Sequence, residues 1–188
     1  MPQSELLRDC RSQLERVDAR ARELTGSLTE DQMRWTPPDG GWGIAQVFAH
    51  LVASNGSYLP RLRDAFTKQR RAGTGSGERL WKPTFFGRML IRSLDPRSQR
   101  RMPSPAGWRP RSDRPSGTLE AFLACQREIA ELTEAATEVD LVRTRVSSPV
   151  SRLIRLNAGD AFRIFVVHDW RHLGQIERLT GRPGFPSA

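Results

Sequence analysis

Near its carboxyl end the chain reads His168-Asp169-Trp170-Arg171-His172-Leu173-Gly174-Gln175-Ile176, a run that combines two histidines with a helical spacing of apolar residues. Each residue of an α-helix advances by roughly 100°, so histidines four apart lie on one face, about 40° from each other. Apolar residues on both sides follow steps of three and four, which predicts a helix whose buried stripe contains both histidines. That stripe includes Ala161, Ile164, Phe165, Ile176 and Leu179. Two imidazoles presented in this way can bind one metal ion.

The chain contains three histidines, and the third, His50, lies on the flank of another apolar helical stripe. A flank position can reach a neighbouring helix while one side stays open to a cleft. We therefore predict a metal site formed by His50, His168 and His172, in preference to three histidines that only pack. Three neutral imidazoles suit zinc best, with nickel, copper or ferrous iron as alternatives. A fourth position is left for water or substrate, as at catalytic zinc sites.

The remaining apolar periodicity predicts three more long helices, and the four together predict an all-α fold, a four-helix bundle. The predicted helices span residues 4 to about 24, about 44 to 69, 118 to about 137, and 157 to about 180. Ser4, Thr118 and the Asn157–Asp160 pair are predicted N-caps, and Thr29 with Gln32 is a predicted capping box for a short helical turn.

The segments between these helices are predicted to be less regular. A glycine-rich flexible loop is expected at about 70–79, a short amphipathic helix at 84–94 and a long proline-rich connector at about 95–117. Residues 140–156 alternate apolar and polar side chains, which predicts two short extended pieces that do not form a sheet. The whole chain, 1–188, is expected to form a single domain.

The net charge of +9 is concentrated in residues 59–115, where fifteen lysines and arginines face four acids, a local balance of +11. A basic region can attract anionic partners, but an arginine-rich solvated surface is the reading that we favour. No segment is apolar over the length that a membrane span needs, and no signal pattern is visible. The isolated cysteines Cys10 and Cys125 fit reduced core positions, so a cytoplasmic protein is expected.

Three stretches resemble a known family. Gly41-Trp42-Gly43-Ile44-Ala45-Gln46-Val47-Phe48-Ala49-His50-Leu51 resembles the tryptophan-to-histidine stretch of DinB/YfiT-like proteins. The stretch from His168 to Ile176 resembles the paired-histidine motif of that superfamily. Leu28-Thr29-Glu30-Asp31-Gln32-Met33-Arg34-Trp35 is similar to its connector. With the helix spacing, the resemblance covers nearly the whole chain.

The resemblance implies that His50, His168 and His172 are ligands of a divalent metal within a four-helix bundle, and that the bundle forms a homodimer. It also implies a metal-dependent hydrolase, or a transferase that uses a low-molecular-weight thiol such as bacillithiol or mycothiol. It does not imply DNA binding. Asn55 departs from the family pattern, since relatives often carry an acidic side chain there.

Three polar residues are candidates for a place around the metal. Asn55 lies in an apolar stripe, so it is either a hydrogen-bond anchor of the core or a group beside the metal. His168 to His172 has the spacing of zincin proteases, but Asp169 replaces their glutamate base and the third histidine lies upstream. We therefore expect Asp169 to be a surface charge, or at most a group that orients a neighbour. Gln175, in the histidine stripe, is a pocket candidate.

The function expected from the sequence is a metalloenzyme that activates water or a thiol for a small-molecule substrate. Arg61, Arg88 and Arg92 are candidates for holding an anionic part of that substrate. No carboxylate is visible beside the histidines as a base, which favours the thiol. The alternative is a non-catalytic module that binds an anionic partner through its arginine-rich surface; a nucleic-acid partner is not expected, because no such motif is present.

Overall fold

Four long helices form the body of the molecule. The computed structural model describes residues 1–73, 79–98, 103–110, 116–151 and 153–187. The long helices are α1 (Gln3–Thr25), α3 (Ile44–Gly56), α6 (Thr118–Ala135) and α7 (Ala158–Thr180). Both α1 and α3 pack against α6 and against α7, so each helix has two neighbours in a square arrangement. The prediction of an all-α four-helix bundle is thus confirmed.

The described structure has further elements outside this set of four helices. The helices are α2 (Glu30–Arg34), α4 (Leu59–Arg71) and α5 (Phe85–Ser93), and 3₁₀ turns lie at Ala106–Trp108 and Ala136–Glu138. Strands β1 (Arg145–Ser147) and β2 (Arg155–Asn157) form a hairpin. None of the described helices is long and apolar enough to cross a membrane.

The prediction of one continuous helix over residues 44–69 is wrong. Helix α3 ends at Gly56, the chain turns at Ser57 and Tyr58, and α4 begins at Leu59. Pro60 is the second residue of α4, because proline is compatible with the first turn of a helix but not with its interior. Both Leu62 and Phe66 remain buried, so the apolar spacing continues across the break and does not reveal it.

Two of the predicted caps are confirmed and two are wrong. Asn157 forms a capping box with Asp160 at the start of α7, and Thr29 forms one with Gln32 at α2. Ser4 is not the cap of α1, because the helix already begins at Gln3, whose N–H donates to the backbone of Arg79. Thr118 is not the cap of α6, because Gly117 occupies that position with a φ of 68°, a left-handed conformation that glycine adopts without strain.

The predicted extended pieces exist, but the expectation that they do not form a sheet is wrong. Strands β1 and β2 pair antiparallel, with Arg145 opposite Asn157 and Ser147 opposite Arg155. Val146 and Leu156 are buried against the core. Because this inward face has an apolar core to pack on, a hairpin of only three residues per strand is stable here.

The other connections agree with the prediction where the structure describes them. Thr84 caps α5, which packs against α7. Helix α4 extends into the predicted loop at 70–79, and residues 74–78 of that loop lie outside the described residues. Of the proline-rich connector, residues 95–98 and 103–110 are irregular apart from one 3₁₀ turn, and 99–102 and 111–115 lie outside the described residues.

The core consists of two apolar clusters stacked along the bundle. One cluster contains Leu6, Cys10, Tyr58, Ile129 and Phe165, among others. The other contains Val17, Phe48, Leu51, Phe122 and Leu173, among others. On α7 the two clusters are separated by the interval from Val166 to Leu173, and the polar residues His168, Asp169 and His172 lie in that interval.

Candidate metal centre

The three histidines lie together, as the sequence predicts. Helix α3 supplies His50, and α7 supplies His168 and His172 from one face. The Nε2 atom of His168 lies 3.3 Å from Nε2 of His50 and 3.1 Å from Nε2 of His172. A tetrahedral ion with bonds of 2.0–2.1 Å to nitrogen has its ligand atoms about 3.3–3.4 Å apart. The spacing of these nitrogens therefore fits a metal ion.

The outer nitrogens of two rings are held by oxygen atoms. Nδ1 of His50 donates to the backbone carbonyl of Trp108 at 2.8 Å, and Nδ1 of His172 donates to Oε1 of Gln175 at 3.0 Å. Both oxygens can only accept, so the ring proton belongs on Nδ1 and the Nε2 lone pair is free. This is the tautomer that a histidine needs in order to bind a metal through Nε2.

The histidines are buried, and burial keeps them neutral. Their exposed fractions are 4% for His50, 8% for His168 and 9% for His172. Loss of hydration lowers the pKa of His172 to about 3, and the nearby His50 contributes. Burial also lowers the pKa of His50, and it lowers that of His168 well below its ordinary value. Neutral imidazole is the form that ligates a metal.

Asp169 lies inside the bundle, so the expectation of a surface charge is wrong. Its side chain is fully buried and accepts two hydrogen bonds, from Asn55 Nδ2 at 2.8 Å and from Gln126 Nε2 at 2.7 Å. We call Asn55, Gln126 and Asp169 the polar layer. Burial raises the pKa of Asp169 to about 7, although the two amide donors oppose this shift. Asn55 thus contacts Asp169 rather than a histidine.

Asp169 of the polar layer follows His168 on α7 and lies between Val166 of one apolar cluster and Leu173 of the other. Gln126, which the sequence reasoning did not identify, is 1% exposed and lies between Leu123 and Ile129 on α6. The signal was present: Gln126 comes four residues after Phe122 and three before Ile129, within the buried stripe. A buried amide in such a position requires a partner, which is Asp169.

Asp18 of α1 adds a second carboxyl group close to this layer. Burial raises its pKa to about 6, although the charges of Arg22 and Arg127 lower it, and its own charge raises the pKa of Asp169. Its Oδ1 atom is buried and has no hydrogen-bond partner among the described residues. Asp18 is therefore in a less favourable environment as an anion than a surface carboxylate.

Aromatic side chains and a covering segment enclose the histidines. The ring of Trp42 lies 4.9 Å from that of His50 and stacks at 6.4 Å on that of His172, measured between centroids. The 3₁₀ turn that ends at Trp108 crosses the site, since its carbonyl binds His50. Arg171 donates to the backbone oxygens of Asp95 and Ser98, which fixes the start of this segment to α7. These enclosing contacts were not predicted.

The three arginine candidates are on the surface. Arg88 and Arg92 are exposed on α5, and Arg61 is exposed on α4 beside the hairpin. Among the contacts of the described residues, none joins these arginines to a histidine. Gln175, by contrast, lies at the site through its bond to His172.

Comparison with known families identifies one match. A family model described as the DinB superfamily matches residues 13–176, a range that includes the three histidines and the polar layer. No curated protein and no solved structure matches the chain.

Proposed function

Because the chain belongs to the DinB superfamily, we propose that it is a divalent-metal-dependent enzyme whose His50, His168 and His172 bind the metal. The observation that carries this proposal is the approach of three Nε2 atoms at 3.1 and 3.3 Å. The Nε2 lone pairs of His50 and His172 both face Nε2 of His168, and a cation shared by the three rings would accept a lone pair from each. Zinc is the metal that we expect first, with nickel or iron as alternatives.

A divalent metal in such a site acts as a Lewis acid and lowers the pKa of water, or of a thiol, so that a nucleophile is available near neutral pH. The chain's own residues prepare this site. The Trp108 carbonyl and Gln175 fix the orientation of two rings. Trp42 and the turn Ala106–Trp108 cover the histidines, which are 4–9% exposed.

A thiol is the nucleophile that the surroundings favour. Hydrolysis by a metal-bound water is assisted by a positioned base that takes up a proton during the attack. Of the described aspartate, glutamate and cysteine side chains, none joins the histidine cluster. Both oxygens of Asp169 already accept amide hydrogen bonds, so Asp169 does not supply this base. A thiolate needs no further deprotonation, and we therefore propose transfer of a low-molecular-weight thiol to an electrophile ahead of hydrolysis.

Metal analysis of tag-free protein tests the site. We expect about one zinc, nickel or iron per chain, lost in His168→Ala and in His172→Ala. Zinc at 100 times its Kd stabilises a folded protein by about 2.7 kcal/mol, which is roughly 5–10 °C in Tm for a domain of this size. The absence of both stoichiometric metal and a zinc-dependent rise in Tm would refute the proposal.

The cysteines provide a control for that measurement. Cys10 and Cys125 are buried, and burial raises the pKa of each thiol to about 12, so neither is prepared to ligate a metal. The variants Cys10→Ala and Cys125→Ala are expected to retain the full metal content. Loss of metal in either variant would place the ion elsewhere.

An activity screen separates transfer from hydrolysis. Zinc-loaded protein is incubated with small electrophiles in the presence and absence of bacillithiol or mycothiol, and in parallel with simple esters and amides. We expect turnover that requires the thiol and disappears in His172→Ala. Thiol-independent hydrolysis that disappears in the same variant would show that the enzyme is a hydrolase rather than a thiol transferase. That result would leave the proposed metal site in place.

The homodimer stays a prediction, which light scattering on a sizing column can test. The expected mass is twice the 21.3 kDa of one chain. A monomer at micromolar concentration would contradict it without affecting the metal site.

A further inference from the structure

A groove of about 250 Å³ lies between α4 and the β-hairpin, and its lining does not include the histidines or the tryptophans around them. Four of the residues that line it are cationic, and one is acidic. The lining residues that carry the argument are Arg61, Asp64, Lys68, Arg145, Val146 and Arg155.

The hairpin contributes two arginines to one side of the groove. Val146 is buried against the core, so its strand neighbour Arg145 points outward. Arg155 also points outward, since the next residue on β2, Leu156, is buried. In the observed register Arg145 is opposite Asn157, which makes Arg155 its diagonal neighbour on the outer face. Diagonal neighbours in an antiparallel pair are about 7–8 Å apart, within common reach of one ligand.

Helix α4 contributes the other side. Arg61, Asp64 and Lys68 are spaced by three and four residues, so they share one face of the helix. Lys68 Nζ lies 2.6 Å from Asp64 Oδ2, so the only acidic residue of the lining is already neutralised. The lining residues therefore carry an excess of three positive charges.

These positive charges have no partner in the described part of the chain. Among the described residues, no ion pair or hydrogen bond involves the guanidinium groups of Arg61, Arg145 or Arg155; the one hydrogen bond between Arg155 and a side chain is through its carbonyl, which accepts from Thr84 Oγ1. Two other arginines of α4 do have partners, since Arg63 binds Glu128 and Arg70 binds Glu138. Three unpaired guanidinium groups around one concavity repel each other, and an anion bound between them relieves that repulsion.

We propose that this groove binds the phosphate group of a small molecule. Guanidinium groups bind phosphate oxygens in pairs of parallel hydrogen bonds, and groups approaching from α4, β1 and β2 can surround one tetrahedral anion. A single-stranded nucleic acid fits less well, because its sites combine a charged track with aromatic stacking platforms, and no aromatic residue lines the groove. This site does not depend on metal at the histidines.

The test is calorimetric titration with inorganic phosphate and pyrophosphate at constant ionic strength in chloride. We expect saturable binding, tighter for pyrophosphate, that weakens at least about tenfold in the Arg145→Gln/Arg155→Gln double variant. The matched control is Arg88→Gln/Arg92→Gln, which removes the same charge from exposed positions on α5 and is expected to bind as the unmodified protein does.

Three results would overturn the proposal. The first is the absence of saturable binding of either probe above the chloride background. The second is equal weakening in the two double variants, which would indicate a response to net charge alone. The third is binding that survives the Arg145→Gln/Arg155→Gln changes but disappears with EDTA, which would place the anion at the metal. Circular dichroism and Tm confirm that each variant is folded.

The source of the phosphate group is distinguished by a further measurement. Protein is sedimented with vesicles of phosphatidylcholine, with or without phosphatidic acid, and in parallel titrated with glycerol phosphate. Sedimentation that requires phosphatidic acid and is lost in Arg145→Gln/Arg155→Gln supports the site and assigns it to a lipid headgroup. Binding of glycerol phosphate without sedimentation supports the site and assigns it to a soluble phosphomonoester.

Discussion

Replacing Asp169 with leucine in metal-free protein is expected to lower the free energy of unfolding by about 2–6 kcal/mol through the two lost acceptors, less the part regained because an ionised carboxylate, whose pKa burial raises to about 7, is no longer buried. The estimate follows from two hydrogen bonds of 2.8 and 2.7 Å that the carboxylate accepts from Asn55 and Gln126. These two residues are 2% and 1% exposed, so water does not reach their amides. A buried donor that loses its acceptor costs roughly 1–3 kcal/mol. Leucine has a shape close to that of aspartate and leaves little room for a replacing water.

The matched control is Asp169→Asn. The new carbonyl accepts one of the two hydrogen bonds, and Gln126 can reverse its amide so that Oε1, which has no hydrogen-bond partner now, accepts from the new NH2 group. We therefore expect Asp169→Asn to cost less than half as much as Asp169→Leu. Urea unfolding followed by circular dichroism at pH 8, with EDTA present, measures both.

A double-mutant cycle identifies the cause of the loss. In the Asp169→Leu background Asn55 has already lost its acceptor, so Asn55→Ala is expected to cost at least about 1 kcal/mol less there than in the unmodified protein. Additive effects, or a cost of Asp169→Leu below about 0.5 kcal/mol, would show that the carboxylate does not hold the two amides.

Two further predictions concern other parts of the bundle. Asp18 has a pKa of about 6 in the folded chain against an ordinary value of 3.8, so the folded state keeps the proton of Asp18 up to a higher pH than the unfolded state does. The free energy of unfolding of the unmodified protein, relative to that of Asp18→Asn, should therefore fall as pH rises from about 4 to about 6. Urea midpoints that differ by the same amount across that range would contradict this. In Gly159→Ala the added Cβ would lie 2.4 Å from Trp81, so a loss of about 1–3 kcal/mol is expected. Gly56→Ala is the control, because no atom lies within 4 Å of the added group; equal losses in the two variants would show that Trp81 is not the cause.

The histidine cluster could be predicted because its geometry follows from helix periodicity. His168 and His172 share a face of any regular helix, and only the position of His50 depends on how the helices pack. The capping box at Asn157 was predictable for the same reason, since it joins residues three apart. Such local relations do not require knowledge of the tertiary structure.

The location of Asp169 could not be predicted from a single apolar stripe. Helix α7 packs against α1, α3 and α5, so it is buried over much more of its circumference than a helix with one neighbour. Positions that one stripe assigns to the surface then lie in the core. The polar residues on the facing stripes were the available signal, because buried Asn55 and Gln126 both need an acceptor.

Two other features could not be predicted from the sequence, for a different reason. They are the contacts that orient the histidine rings, and the groove between α4 and the hairpin. The acceptor for His50 is a backbone carbonyl, which any residue at position 108 would supply, so residue type does not mark it. The groove joins α4 to a hairpin that follows more than 70 residues later. Its arginines are adjacent only because β1 and β2 pair, and the alternating pattern predicted no pairing.

His168 and Asp169 are consecutive residues of α7, so the candidate metal centre and the polar layer are next to each other on one helix. Successive residues on α7 are about 100° apart, so His168 faces His50 of α3 while Asp169 binds Gln126 of α6 and Asn55 of α3. A rotation of α7 that separated His168 from His50 would also break the hydrogen bonds of the polar layer. The hydrogen bonds of Asp169 therefore also keep the Nε2 atoms close together before any metal binds. Metal binding then does not have to offset the cost of orienting α3 and α7 relative to each other. Loss of Asp169 should consequently weaken metal binding although Asp169 contacts no metal.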